Sequence, residues 1–120
     1  LAVIDIIAAE NLVDRALQIG EVFARNLTRL QEKYPDVVGD IRARRGAMIA
    51  VELVKNSDPE QPDANLTKAL VEKAWQSGLI LLSCGVRSNV IRFLPALTIS
   101  DELIDEGMNI VEACLSGLLK

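Results

Sequence analysis

Asn89-Val90-Ile91-Arg92-Phe93-Leu94-Pro95 has the pattern of a short strand with one charged residue at its middle. Successive side chains of a strand point to opposite faces, so Ile91 and Phe93 share one face and Val90, Arg92 and Leu94 share the other. Ile91 and Phe93 are suited to pack against helices. Val90 and Leu94 are then expected to be more exposed than Ile91 and Phe93. Arg92 emerges on the open side between two apolar neighbours. An arginine in that setting is either a solvated residue on an uncovered sheet or a placed anion receptor, and alternation alone does not separate the two.

The strands and helices around this stretch follow from hydrophobic period. Ala47-Met48-Ile49-Ala50-Val51-Glu52-Leu53-Val54 is nearly all apolar, which predicts a strand covered on both faces over most of its length. Glu52 is the exception, on the face of Met48, Ala50 and Val54. Val37 to Ile41 and Leu79 to Ser83 read as further strands, the second of them buried. Cys84-Gly85-Val86-Arg87-Ser88 turns the chain so that the Arg92 strand returns as a hairpin partner. Lys55 to Asp63, polar and bearing two prolines, reads as a loop without core contact. Its lack of glycine does not resemble a phosphate cradle.

Helices fill the remaining length. Leu1 to Glu10 is helical in character, and Asn11 with Asp14 three residues on predicts a capped start for a second helix. Leu12, Ala16, Ile19, Phe23, Leu27, Leu30 and Tyr34 form its apolar stripe, and Pro35 ends it. Asp63 predicts the cap of a third helix, with Leu66, Leu70 and Ala74 inward and Gly78 at its end. Thr98 and Ser100 mark a fourth start, with Asp101 and Glu102 in the first turn and Ile104, Met108, Val111, Leu115 and Leu118 inward. The predicted class is α+β: a two-layer sandwich with a small, largely antiparallel, four-stranded sheet covered by helices on one face. The chain is read as a single domain, 1–120, in which residues 1–34 lead in and residues 37–120 make the sheet-and-helix unit. Its uncapped helical opening at Leu1 is expected of a C-terminal piece of a longer chain.

Composition limits function. Of 120 residues, half are hydrophobic and a quarter charged, with a net charge of −4. No basic run predicts a nucleic-acid surface, and no apolar stretch approaches the roughly 20 residues that span a membrane. Histidine is absent, which removes the usual base near pH 7 and the commonest metal ligand, so no metal site is expected. Cys84 and Cys114 read as reduced, mostly buried thiols of a cytoplasmic protein. Arg42, Arg44 and Arg45 could bind phosphate or carboxylate, but arginines at a strand start are commonly solvated or salt-bridged, and no role is assigned to them.

Taken together, Leu1-Ala2-Val3-Ile4-Asp5-Ile6-Ile7, Gly46-Ala47-Met48-Ile49-Ala50-Val51-Glu52, and Ser83-Cys84-Gly85 followed by Asn89 to Leu94 resemble the C-terminal small domain of class III pyridoxal-phosphate aminotransferases of fold type I. Among these the chain is most similar to the bacterial 4-aminobutyrate aminotransferases. The resemblance runs over the whole chain in one order. It departs from the family at Ala43-Arg44-Arg45, where a glycine-rich turn is usual.

The resemblance implies that Arg92 binds the α-carboxylate of glutamate or 2-oxoglutarate, and no catalytic residue is expected here. It implies an enzyme that moves an amino group from 4-aminobutyrate, or a similar ω-amino acid, to 2-oxoglutarate. Pyridoxal 5'-phosphate would be held in the full-length parent by a large domain of the same chain, which carries the Schiff-base lysine. None is expected on this fragment alone, which should be inactive. The parent is expected to be a cytoplasmic homodimer acting on a small-molecule carboxylate, without nucleic-acid or membrane partners. Two other classes are open: a small amino-acid-binding regulatory module and a purely structural interaction domain.

Overall fold

A computed structural model describes residues 1–120. Four helices, α1 (Ala2–Ala9), α2 (Leu12–Lys33), α3 (Ala64–Gln76) and α4 (Asp101–Leu118), accompany five strands. The strands are β1 (Val38–Arg42), β2 (Ile49–Lys55), β3 (Asp58–Pro62), β4 (Leu82–Cys84) and β5 (Val90–Phe93). All pairings are antiparallel, in the order β1-β2-β5-β4, with β3 paired to β2 beside this path. The helix-covered α+β sheet expected from the sequence is therefore present, with one strand more.

The core lies between the sheet and α2, α3 and α4. Ile49, Val51, Leu53, Ile91 and Phe93 meet Ile19, Phe23, Leu27, Leu70, Ile104, Met108 and Leu115 in one buried cluster. The Phe23 and Phe93 rings pack 5.0 Å apart, which clamps β5 against α2. Asn89 is buried and its Nδ2 donates to the Leu53 carbonyl at 3.0 Å, fixing the start of β5 to β2. Arg15 pairs with Asp101 at 2.9 Å and so joins α2 to the start of α4. The capping expectations at two helices are met: Asp63 accepts from the Leu66 amide at 3.0 Å and Ser100 from the Leu103 amide at 3.3 Å. Gly78 has φ of +87°, as a helix C-terminus demands.

Several local expectations are corrected. Asn11 makes no side-chain cap; it takes φ of +55° and its amide donates to Ala8, so it closes α1 while α2 begins. Residues 58–62 are a strand and not a loop. Asn56 and Ser57 both have positive φ, the geometry of a tight hairpin turn whose twist matches the strands. Pro59 and Pro62 are tolerated because β3 is an edge. The segment Leu79 to Ser83 is not a buried strand: β4 is short and forms the edge opposite β1, Leu81 is buried and Ile80 is 79% exposed. β2 is covered fully on its helix side only, since Ala50 and Glu52 are half-buried and Met48 is exposed.

Alternation along β5 holds for Leu94, at 58% exposure, and fails for Val90, at 7% against 9% for Phe93. The turn after β4 folds onto Val90. Gly85 has φ of +89°, and a Cβ there would stand 2.9 Å from Val90 Cγ2. Val90 is thus buried away from the helices, by its own hairpin.

Candidate functional site

Arg92 occupies the third position of β5, hydrogen-bonded on both sides, so its backbone is fixed. Its cross-strand neighbours are Ala50 on β2 and Leu82 on β4. Directly opposed residues of an antiparallel pair project to the same face. Arg92 therefore stands on the face away from the helices, between a small residue and a large apolar one. Its Nε is buried and has no hydrogen-bond partner. Its guanidinium enters none of the chain's salt bridges. A buried donor without an acceptor costs about 1–3 kcal/mol, and more on a charged group.

Arg92 borders a groove of about 310 Å³, lined by 14 residues of which 11 are hydrophobic. It is the sole charged residue there. Leu82 and Leu94 flank it on the open side and Phe93 and Met108 on the core side. Apolar walls strip water from an incoming anion and strengthen a charge-assisted contact.

The row extends to β1, where Arg42 also stands opposite Ala50. At about 4.8 Å per strand, Arg42 and Arg92 begin roughly 10 Å apart on one face. Arg42 is engaged: its Nη1 donates to Asp40 Oδ2 at 2.6 Å and to Glu52 Oε1 at 2.9 Å. The hydrogen bond that Arg42 donates to Glu52, opposed in part by desolvation and reinforced by the one to Asp40, raises the guanidinium above its ordinary value and so keeps it charged. Arg44 and Arg45 are exposed on the following loop and make no salt bridge. That loop lies on α2: Gly20 allows the contact, since a Cβ there would meet the Gly46 and Ala43 carbonyl oxygens at 2.6 and 2.7 Å.

Sequence reasoning singled out Glu52 as an anomaly but did not pair it with Arg42. Nor did it find Arg87, whose guanidinium reaches the Pro59 carbonyl and Glu60 at 3.1 Å and ties the β4–β5 turn to β3. Both pairings depend on register, which single-strand patterns do not carry. Cys84 is half-buried on β4, and Cys114 is buried with its Sγ 3.6 Å from Ser77 Oγ. No three His, Cys, Asp or Glu side chains gather as a metal site, and no helix is long and apolar enough to cross a membrane.

The helix-backed antiparallel sheet thus presents one unpaired arginine, Arg92, on its bare face. The family model for aminotransferase class-III matches residues 1–115, and the chain belongs to that family. It is 50% identical over 118 residues to the 4-aminobutyrate aminotransferase of Mycobacterium tuberculosis, covering 98% of this chain and 26% of that protein. It is 43% identical to the 5-aminovalerate aminotransferase of Pseudomonas putida, covering 98% and 27%. Among solved structures, the lysine aminotransferase from M. tuberculosis superposes with a TM-score of 0.82 at 32% identity, over 95% of this chain and 24% of that one. The chain thus spans about a quarter of the length of the curated relatives it matches.

The family implies pyridoxal phosphate, held in part through a lysine. An aldehyde cofactor needs a lysine at the site. Lys33 and Lys73 lie on helices α2 and α3, Lys33 paired with Glu112 at 2.6 Å. Lys55, Lys68 and Lys120 are exposed, and no lysine borders the groove at Arg92. The residues of this chain therefore do not fit the cofactor by themselves.

Proposed function

We propose that this chain is the C-terminal part of an aminotransferase that moves an amino group from 4-aminobutyrate, or a similar ω-amino acid, to 2-oxoglutarate, and that Arg92 receives a substrate carboxylate. The observation that carries this reading is the unsatisfied, part-buried guanidinium of Arg92 on the bare sheet face. The names of the relatives support it: 4-aminobutyrate and 5-aminovalerate each have an amine at one end and a carboxylate at the other. A planar guanidinium can hold a carboxylate through two parallel hydrogen bonds, which fixes orientation as well as position.

On this reading the bare face meets a large cofactor-binding domain that supplies the lysine and the pyridoxal 5'-phosphate site, and the fragment alone is inactive. A cytoplasmic homodimer is the assembly we expect of the parent. A self-contained amino-acid-binding module fits less well, because the groove is lined by apolar side chains but for Arg92 and has no acidic side chain to pair with an ammonium group. The test is the half-reaction of the full-length parent with glutamate in a single turnover, compared with Arg92→Ala. Loss of rate or apparent affinity is expected; unchanged values would make Arg92 an ordinary surface residue.

A further inference from the structure

We propose that Arg42 is a positioning residue for the carboxylate site: by holding Glu52 it keeps that carboxylate off Arg92 and leaves Arg92 open to a ligand. This rests on the reading of Arg92 as a carboxylate receptor and extends it to a second strand.

The register supplies the geometry. Ala50 lies opposite Arg42 on one side and opposite Arg92 on the other. Glu52 is two residues further along β2, on the same face, so it is the diagonal neighbour of both arginines. Diagonal neighbours have Cα atoms about 7–8 Å apart, within reach of long side chains. Glu52 could therefore serve either guanidinium. In the structure it serves Arg42, at 2.9 Å, and Arg92 is left without a partner.

Burial makes the choice matter. The Glu52 side chain is only 26% exposed, and its directly opposed neighbour on β5 is the buried Val90. A carboxylate that is mostly shielded from water keeps a cation when it can, because the screening that weakens exposed pairs is reduced. With Arg42 removed, Arg92 is the cation left diagonal to Glu52. A Glu52–Arg92 pair would occupy the guanidinium that a substrate needs. The apparent affinity for a ligand falls by the fraction of time its site is closed. Asp40 assists by lying on the same Nη1 of Arg42, so that β1 presents a fixed, charge-balanced partner to Glu52.

The experiment uses the full-length enzyme and glutarate, a dicarboxylate with no group to transfer, with binding measured by calorimetry. Arg42→Gln is expected to weaken glutarate binding about tenfold and to raise KM for 2-oxoglutarate in proportion, with kcat nearly unchanged. Adding Glu52→Gln to that variant is expected to restore affinity to within about twofold, because a neutral amide does not compete for Arg92. Arg42→Lys preserves the charge and the local fold; it is expected to lose about threefold, and Glu52→Gln should again erase the loss. A purely structural Arg42 would give a loss that the second substitution leaves in place or deepens, and that result overturns the proposal. So does an Arg42 variant that binds normally. Arg92→Ala, measured alongside, separates the two readings. If it binds glutarate normally, the carboxylate role itself fails. If it loses binding while the Arg42 and Glu52 variants show no coupling, only the positioning role fails.

Discussion

Arg42 and Arg92 stand in one cross-strand row with Ala50 between them, and only Arg42 is paired. Two like charges on one face would ordinarily each gather a counter-ion. Here both acids within reach of the row, Asp40 and Glu52, converge on a single atom of Arg42. An unpartnered buried donor would cost stability at the position proposed to receive a ligand, which is the usual direction of a trade between folding and function.

That trade is measurable in the chain itself. Arg92→Met keeps most of the side-chain volume and removes the unsatisfied donor. It is expected to stabilise the 120-residue chain by about 0.5–1.5 kcal/mol in urea unfolding. A destabilised variant would mean that the guanidinium already finds compensation in water.

Glycine placement gives an opposed pair. Alanine normally stabilises a helix interior relative to glycine by about 1 kcal/mol. At Gly107 on α4 a Cβ would meet only the Leu79 side chain at 3.6 Å, an ordinary contact, so Gly107→Ala should gain up to about 1 kcal/mol. At Gly20 it would strike two backbone carbonyls, so Gly20→Ala should lose about 1–3 kcal/mol by overpacking and displace the arginine loop. Thermal unfolding of the two variants should shift in opposite directions; shifts of the same sign would refute the close approach of that loop to α2.

Much of this was readable in the chain, and the misses have physical causes. The stripes of α2 and α4 appeared because residues three and four apart share a helix face, and Ile19, Phe23, Leu27, Ile104, Met108 and Leu115 are all buried. The outward aim of Arg92 followed from strand alternation. Val90 was misread because its cover comes from a turn, and turn conformation is not a periodic signal. β3 was misread because its residues, Asp58-Pro59-Glu60-Gln61-Pro62, carry no strand pattern; it is held by the Asn56-Ser57 turn and by pairing to β2. The Arg42–Glu52 bond was invisible because it depends on register between strands.

The same hairpin carries an acid-sensitive contact. Gln61 donates to Asp58 Oδ2 at 2.8 Å and the Glu60 amide to Oδ1 at 2.9 Å, and these bonds, Gln61 first, hold the Asp58 carboxyl below the usual aspartate range. A depressed folded value means that the contribution is present above the unfolded value, about 3.9, and is lost as pH falls through the folded one. Carbon-detected NMR of the Asp58 carboxyl should titrate below that of an ordinary aspartate, and Gln61→Ala should move it upward. An unmoved titration in Gln61→Ala would remove the side-chain bond as the cause.

The kinetic role proposed for Arg92 has the largest expected effect. In the full-length parent, Arg92→Ala removes a charge-assisted contact in a groove with apolar walls. Such a loss should cost on the order of 2–4 kcal/mol in transition-state binding. At about 1.4 kcal/mol per tenfold, kcat/KM for glutamate and 2-oxoglutarate should fall by roughly thirty to a thousand. Arg92→Lys should recover little, because an ammonium cannot reproduce the planar fork and its shorter reach leaves one carboxylate oxygen unbound. The fall should be confined to substrates that present a carboxylate to this face; an amine donor lacking one should react with the variant and the parent alike. Cofactor absorbance should survive, since no lysine of this chain lies at the groove. A solvated arginine would give a different pattern, with all substrates within about a factor of five of normal, as exposed charges contribute 0–1 kcal/mol. Stopped-flow absorbance with paired substrates, one with and one without the carboxylate, distinguishes the two, and equal losses for both substrates would count against a carboxylate contact at Arg92.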